Sequence, residues 1–587
     1  MKQFFKFMLA SMVGFILTII LFFLFMLAII SGLMKNEGPV KVSDNSVLEI
    51  KFEDEVKERS DRNPFEKFNF GDFRTSKTPG LDEILKSISK AKSDDHIKGI
   101  LLDLTEITAG MATLEEIRSA LLDFKLSGKF IYAFSESYTQ RAYYLASVAD
   151  QIFLYPTGSV DFRGLRASLM FFKGTLEKLE VKPEIIRHGK FKSAVEPFMY
   201  DKMSDENREQ VNVFLGSIWK NMLEEISASR NIDPTELQRI VDEADGRDAE
   251  KSLQLKLVDR LAYYDEVLDE LKEKTGKSED KKVSFISLRN YSKSALNNEK
   301  FTAKKIAVIY ATGDIVGGEG SGDQAGSDRI SAALRKARMD STIKAIVFRI
   351  NSPGGSALAS DVIWREASLA QKAKPLIVSM GDYAASGGYY IACIADTIVA
   401  RPNTITGSIG VFGLLFDASN MFKNKLGITF DTVKTGRYAD IGSINRAMKP
   451  EERAIIQEGI EKIYDTFLNH VSEGRGMSKT DVDNIGQGRV WSGIDAKRLG
   501  LVDVLGGLND AIRIAASKAN LDSYRIINLP EQKEFFETLV EDLSTETRAG
   551  ILQKEFGESY IYLKQINSLV RNQGIMTRLP YAIEIER

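Results

Sequence analysis

Residues 343–350 read IKAIVFRI, and residues 97–104 read IKGILLDL. Each is a short, nearly continuous apolar run, the pattern of a strand buried on both faces of a parallel sheet. Their first residues, Ile97 and Ile343, stand 246 positions apart. The same offset joins Ile84 to Ile330, Asp94 to Asp340, Tyr143-Tyr144 to Tyr389-Tyr390, Ala149-Asp150 to Ala395-Asp396 and Pro156 to Pro402. Leu257-Val258-Asp259 meets Leu501-Val502-Asp503 at an offset of 244, so few insertions separate the copies. Chance does not hold one register over about 70 residues, and the chain is a tandem duplication of one α/β unit. In each copy helical patterns alternate with apolar runs, as parallel strands joined by crossover helices require.

Around this repeat the rest of the chain falls into place. Val47 to Phe52 reads as a first strand, followed by a long polar loop containing Pro64 and Pro79 and a helical pattern from Leu81. The seam between copies lies near residues 285–303, where Ser, Asn and Lys are common and apolar order is lost. The expected layout is an N-terminal transmembrane anchor over residues 1–35, a first repeat over 41–290, a second repeat over 300–530 and a C-terminal tail over 531–587. The apolar residues of the tail fall partly at helical spacing, so helices packed on the body or on a neighbouring subunit are expected there, with no chemistry of their own.

The 587 residues suffice for two to four domains with their own cores, and the charged fraction of 27 % is ordinary. A net charge of −3 gives no reason to expect a nucleic-acid partner. A single cysteine, Cys393, excludes an intrachain disulfide and any cysteine-based zinc cluster. Only three histidines are present, His96, His188 and His470, which narrows the choice of a catalytic base.

After Lys2 and Lys6, residues 7–34 carry no charge and are rich in Leu, Ile, Phe and Met. A membrane-crossing helix needs about 20 apolar residues, whereas the apolar region of a cleavable signal is only ~7–15 long. An uncleaved anchor is expected, with a long signal peptide removed on export as the alternative. Positive charge before the span places the N-terminus in the cytoplasm and the body outside.

The duplication provides an internal control, because positions that differ between copies at functional turns are candidates for divided labour. Asn351-Ser352-Pro353-Gly354-Gly355-Ser356 follows the second IK strand, where the first copy has Thr105-Glu106-Ile107-Thr108-Ala109-Gly110. A Pro-Gly-Gly turn there can aim a glycine amide into the cleft as half of an oxyanion hole. The stretch GDYAASGGYY, residues 381–390, reads as a strand, a tight small-residue turn and a helix, with Ser386 at the turn. Its counterpart in the first copy is Gln140. Finally, RHGKFKSAVEPF at 187–198 aligns with KTGRYADIGS at 434–443, so that Gly189, Lys190 and Phe191 match Gly436, Arg437 and Tyr438 while Lys192 faces Ala439. Apolar neighbours such as Phe191, Val195 and Phe198 are suited to desolvating an amine, and a lysine base must titrate far below its ordinary value. A serine in one copy and an unmatched lysine in the other form a candidate Ser–Lys dyad. His188 is the competing base, but it faces an ordinary Thr435 across the repeat.

The strings NSPGGS, GDYAASGGYY, TGSIGVFG and GKFKSAVEPF resemble those of the signal peptide peptidase A (protease IV) family in its long, two-repeat, membrane-anchored form. The resemblance implies a crotonase/Clp-protease-like α/β fold in each repeat, with Ser386 as nucleophile and Lys192 as general base. It implies Gly355 and Gly387 as oxyanion donors and Ser408 as a hydroxyl that orients the lysine. It further implies a homo-oligomer, tetrameric in the long form, with no metal or other cofactor. The activity implied is endoproteolysis of signal peptides and similar apolar peptides at the outer face of the bacterial cytoplasmic membrane. Two other classes share some of these features. A crotonase-like acyl-CoA enzyme would use the same glycine turns for a thioester oxyanion, and a non-catalytic membrane scaffold could be built on a protease-like fold.

Overall fold

The computed structural model describes residues 2–33, 40–60, 79–278, 280–294, 302–532 and 574–578. The two IK runs occupy equivalent places in two separate sheets. Ile97–Asp103 lies parallel between Ser46–Ile50 and Phe130–Thr139. Gln151–Asp161 and Arg260–Leu261 extend that sheet on one side and Ser284–Ser287 on the other, giving six strands. In the second sheet Ile343–Ser352 lies parallel between Lys305–Thr312 and Leu376–Ala385. Arg525–Leu529 closes one edge of it. On the other side Ile405–Gly407 and Thr397–Ala400 pair with different parts of Leu376–Ala385, and Val490–Ser492 adds antiparallel to Ile405–Gly407. Ile97, Ile100 and Leu102, like Ile343, Ile346 and Phe348, are buried, as strands covered on both faces must be.

The repeats are not independent bodies. Ala385, Ile405 and Val490 of the second repeat belong to the main apolar core of the first. Arg349, on the second IK strand, is fully buried and pairs with Glu58 at 2.8 Å and Glu116 at 2.7 Å, both from the first repeat. It also donates to Ser379 Oγ and the Met380 carbonyl. A buried guanidinium is tolerated because carboxylates and further acceptors surround it, and loss of either carboxylate would leave charge uncompensated.

A third sheet joins the repeats at the site. An arm strand, Lys182–Arg187, leaves the first repeat and pairs antiparallel with the rim strand Phe412–Asp417 of the second, from Arg187 opposite Phe412 to Lys182 opposite Asp417. Between the rim strand and Gly354–Ser356 runs Gly574–Arg578, antiparallel to both. The helical tail expected over 531–587 is therefore corrected at these five residues, which form a strand; residues 533–573 and 579–587 lie outside the described residues. The physical reason is that the tail strand meets two edges with backbone groups to pair, whereas so short a segment gains little from helix formation.

At the N-terminus, Lys2–Leu33 is one helix of 32 residues. The side chains of residues 22–33 lie outside the description, and among the described residues no helix is long and apolar enough to cross a membrane.

Candidate active site

The strand Leu376–Ala385 delivers Ser386 to the start of the short helix Gly387–Ala392. Ser386 has φ 56° and ψ −112°, a conformation that L-residues adopt at a cost of order 1–3 kcal/mol and that persists only where the surroundings enforce it. Two hydrogen bonds do so: Ser386 N donates to the Gly407 carbonyl at 2.8 Å, and Tyr390 N donates to the Ser386 carbonyl at 2.8 Å. The Gly-Gly that follows answers to packing. A Cβ at Gly388 would lie 2.6 Å from the Ser352 carbonyl oxygen, and one at Gly387 would lie 2.7 Å from Ser360 Oγ and 3.1 Å from Gly354 Cα.

Lys192 reaches this serine from the other repeat. Past the arm strand the chain turns at Gly189 and enters the short helical turns Ser193–Val195 and Glu196–Met199, with Lys192 just ahead of them. Its Nζ lies 2.8 Å from Ser386 Oγ, 3.0 Å from Ser408 Oγ and 3.2 Å from the Ser408 carbonyl oxygen. Lys192, Ser386 and Ser408 are all fully buried. Burial holds the Lys192 amine well below the ordinary lysine range, and among the described residues no carboxylate pairs with it to oppose that effect. A neutral amine fits these partners. Its two hydrogens go to the Ser408 carbonyl, which can only accept, and to Ser408 Oγ, leaving the lone pair for the Ser386 hydroxyl.

The glycine turn packs against the residue that follows the serine. Gly354, at φ +101°, packs against Gly387, and a Cβ there would lie 2.7 Å from the Gly387 nitrogen and 2.2 Å from the Thr577 carbonyl oxygen. Gly355 stands opposite Thr577 in the tail pairing. The structure thus brings Lys192, Ser386, Ser408, Gly387 and the Gly354-Gly355 turn together. His188, in contrast, sits on the outer side of the arm, with Nδ1 2.6 Å from Glu461 and its ring stacked on Tyr464. In the first repeat, Gln140 fills the position equivalent to Ser386 and secures a loop, its Oε1 accepting from Arg163 N at 3.0 Å and Gly164 N at 2.9 Å. Ala439 lies on an exposed segment.

Two contributors escape sequence reasoning. The tail strand crosses the site, with Thr577 fully buried and Met576 packed in an apolar cluster of Ala194, Val195 and Phe198 from the first repeat and Phe412 and Leu414 from the second. The segment Gln487–Val490 knits the Lys192 loop to the Ser408 turn: the Gln487 carbonyl accepts from Phe191 N, Gly488 N donates to the Ile409 carbonyl, and the Arg489 carbonyl accepts from Ser408 N. Gly488, at φ +84°, is pressed against Lys192, where a Cβ would lie 2.6 Å from its backbone. In sequence, Gly486-Gln487-Gly488 shows only a turn, and Gly574–Arg578 is too short to display alternation.

Peptidase family S49 matches the chain twice, over residues 123–278 and 368–522. Protease 4 of Salmonella typhi is 40 % identical over 479 residues, covering 80 % of this chain and 77 % of its own. The chloroplastic serine protease SPPA of Arabidopsis thaliana is 33 % identical over 510 residues, covering 85 % of this chain and 74 % of its own. Among solved structures, ClpP1 from Listeria monocytogenes aligns with 35 % of this chain and 92 % of its own, at 18 % identity and a TM-score of 0.23.

Proposed function

As the chain belongs to peptidase family S49 and is a serine protease, we propose that it cuts extended apolar peptides, cleaved signal peptides among them, with Ser386 as nucleophile and Lys192 as general base. The observation that carries this reading is the 2.8 Å contact between the serine hydroxyl and a fully buried amine that has no carboxylate partner among the described residues. The neutral Lys192 amine takes the hydroxyl proton as Oγ attacks the scissile carbonyl, and the resulting ammonium gives that proton to the departing amine. Water then enters, Lys192 removes its proton as it attacks the acyl-serine ester, and the ammonium returns that proton to the departing Ser386 Oγ, freeing the acid product and restoring the amine and hydroxyl. Ser408 keeps the amine aimed throughout, while the amides of Gly387 and of the Gly354-Gly355 turn face the developing oxyanion. Family membership leaves the acyl-CoA and scaffold alternatives without support.

The strand slot between Gly354–Ser356 and the rim strand supports a peptide substrate bound by strand addition. A substrate backbone would take the place of Gly574–Arg578, putting an apolar side chain in the Met576 cluster and a smaller one where Thr577 lies. The tail then competes with substrate for the slot.

The membrane anchor is part of the same proposal. A helix of 32 residues is about 48 Å long at ~1.5 Å per residue, and the charge-free stretch of residues 7–34 would cover the ~30 Å bilayer core. It would place the body at the outer face of a bacterial cytoplasmic membrane, where signal peptides are left. A homo-oligomer, tetrameric by resemblance, is supported by the repeat itself. The arm of the first repeat lies on the second, but its counterpart around 430–444 leaves Phe430, Val433, Tyr438 and Ile441 exposed. By the repeat relationship this second arm would rest on the first repeat of another copy. The full chain in lipid vesicles should cleave a synthetic signal peptide, and Ser386→Ala should abolish the cleavage; cleavage by the Ser386→Ala protein would sink the proposal.

A further inference from the structure

Resting on the reading of Lys192 as the base, we propose that Gln210 is a positioning residue that fixes the lysine of the first repeat against the serine pair of the second. Gln210 lies on the helix Asp205–Arg230 and is fully buried. Its Nε2 donates to the carbonyl of Phe191 at 3.2 Å and to Ser193 Oγ at 2.8 Å, the two residues that flank Lys192. Its Oε1 accepts from Val490 N at 3.3 Å. Val490 pairs with Gly407, immediately before Ser408, whose own N–H is held by the Arg489 carbonyl. One side chain therefore bridges the loop that carries the amine and the strand pair that carries its acceptor.

The helix is built to hold Gln210 still. Ser204 caps it by accepting from Asn207 N, and Glu196 accepts from Ser204 Oγ, Ser204 N and Asn207 Nδ2. Asn207, one turn before Gln210, has its Oδ1 3.1 Å from Gln210 Nε2. Gly488 closes in on the lysine backbone without a side chain. Gln210 and Gly488 thus clamp the Lys192 segment. Charged groups beside the clamp are Arg187, which donates to the Lys192 carbonyl and faces Glu196, and Arg489, which pairs with Glu209. Gln210 contacts neither the reacting hydroxyl nor the amine, so its effect must pass through the placement and dryness of Lys192.

The consequence is readable in a pH profile. Loosening the clamp lets water reach the amine, which relieves the burial that keeps it neutral and moves its ionisation upward. The enzyme would then need a higher pH to hold Lys192 unprotonated. In the full chain, Gln210→Asn, which keeps the amide but shortens its reach, should lower kcat about 10–100-fold with KM little changed, since small misplacements of a catalytic group act on the chemical step. The acidic limb of its kcat/KM profile on an internally quenched apolar peptide should shift to higher pH by about half a unit or more. Gln210→Leu should move the limb the same way, and it serves as the second variant if Gln210→Asn fails to fold. A folded variant whose acidic limb coincides with that of the wild type overturns the role for Gln210, whatever its kcat. Loss of the acidic limb in the wild type, or activity in Lys192→Ala, would instead count against Lys192 as the base, so the two failures are distinguishable.

Discussion

Lys192 Nζ lies 2.8 Å from Ser386 Oγ although the two residues are 194 positions apart and belong to different repeats. Neither repeat holds both members of the proposed pair, because Gln140 stands at the serine position in the first and Ala439 at the lysine position in the second. If the pair acts as a unit, Ser386→Ala and Lys192→Ala should each cost about 10⁴-fold or more in kcat, and the double variant should be no worse than either single one. Additive losses would show that the two residues act in separate steps.

Burying the Lys192 amine costs the fold stability. The unfolded chain keeps this lysine protonated up to about 10.4, whereas burial lowers the value in the folded state, so the unfolded state binds more protons between the two values. Stability from this group therefore rises with pH across that window and is lowest below the depressed folded value. Lys192→Met removes the buried amine, and thermal melting at pH 7 should find the variant inactive yet at least as stable as the wild type.

The tail strand fills the slot proposed for substrate. Deletion of residues 574–587 should lower KM for a short apolar peptide by about threefold or more, because strand addition to the freed edges no longer competes with Gly574–Arg578. Steady-state kinetics with an unchanged or raised KM would contradict the shared slot.

Gly354 admits no side chain, since its φ is +101° and a Cβ would strike the Thr577 carbonyl and the Gly387 amide. Gly354→Ala should reduce kcat about 10²–10³-fold by displacing the turn that faces the oxyanion. Circular dichroism should show that the fold survives.

Gln140 provides the reverse control. Gln140→Ala should leave kcat within about twofold of the wild type, because the proposed nucleophile lies in the second repeat. It should nevertheless destabilise the protein by about 1–3 kcal/mol, since the Arg163 and Gly164 amides lose their acceptor. Chemical denaturation alongside peptidase assays separates the two effects.

The duplication was legible because IKAIVFRI and IKGILLDL share both pattern and register, and Ser386 and Lys192 stood out because each lacks a chemical counterpart in the other copy. The turn at Ser386 was legible for a local reason, the change from an apolar run to Ser-Gly-Gly. Gln210 and Gln487–Val490 were not, because their roles lie in contacts to residues distant in the chain; Gln210 and Val490 are 280 positions apart. Gly574–Arg578 was missed for another reason. Its place is set by backbone pairing to two edges, and five residues carry no periodicity by which to tell strand from helix.

The direct test is the rate at which a fluorophosphonate labels Ser386 as a function of pH. Because the reagent bypasses substrate binding, the rate reports activation of the hydroxyl alone. It should rise through a single ionisation well below the ordinary lysine value and fall to a slow, pH-independent background in Lys192→Ala. A flat profile from about pH 5 to 9, or fast labelling of Ser386 without Lys192, would contradict activation of the second repeat's serine by the first repeat's lysine.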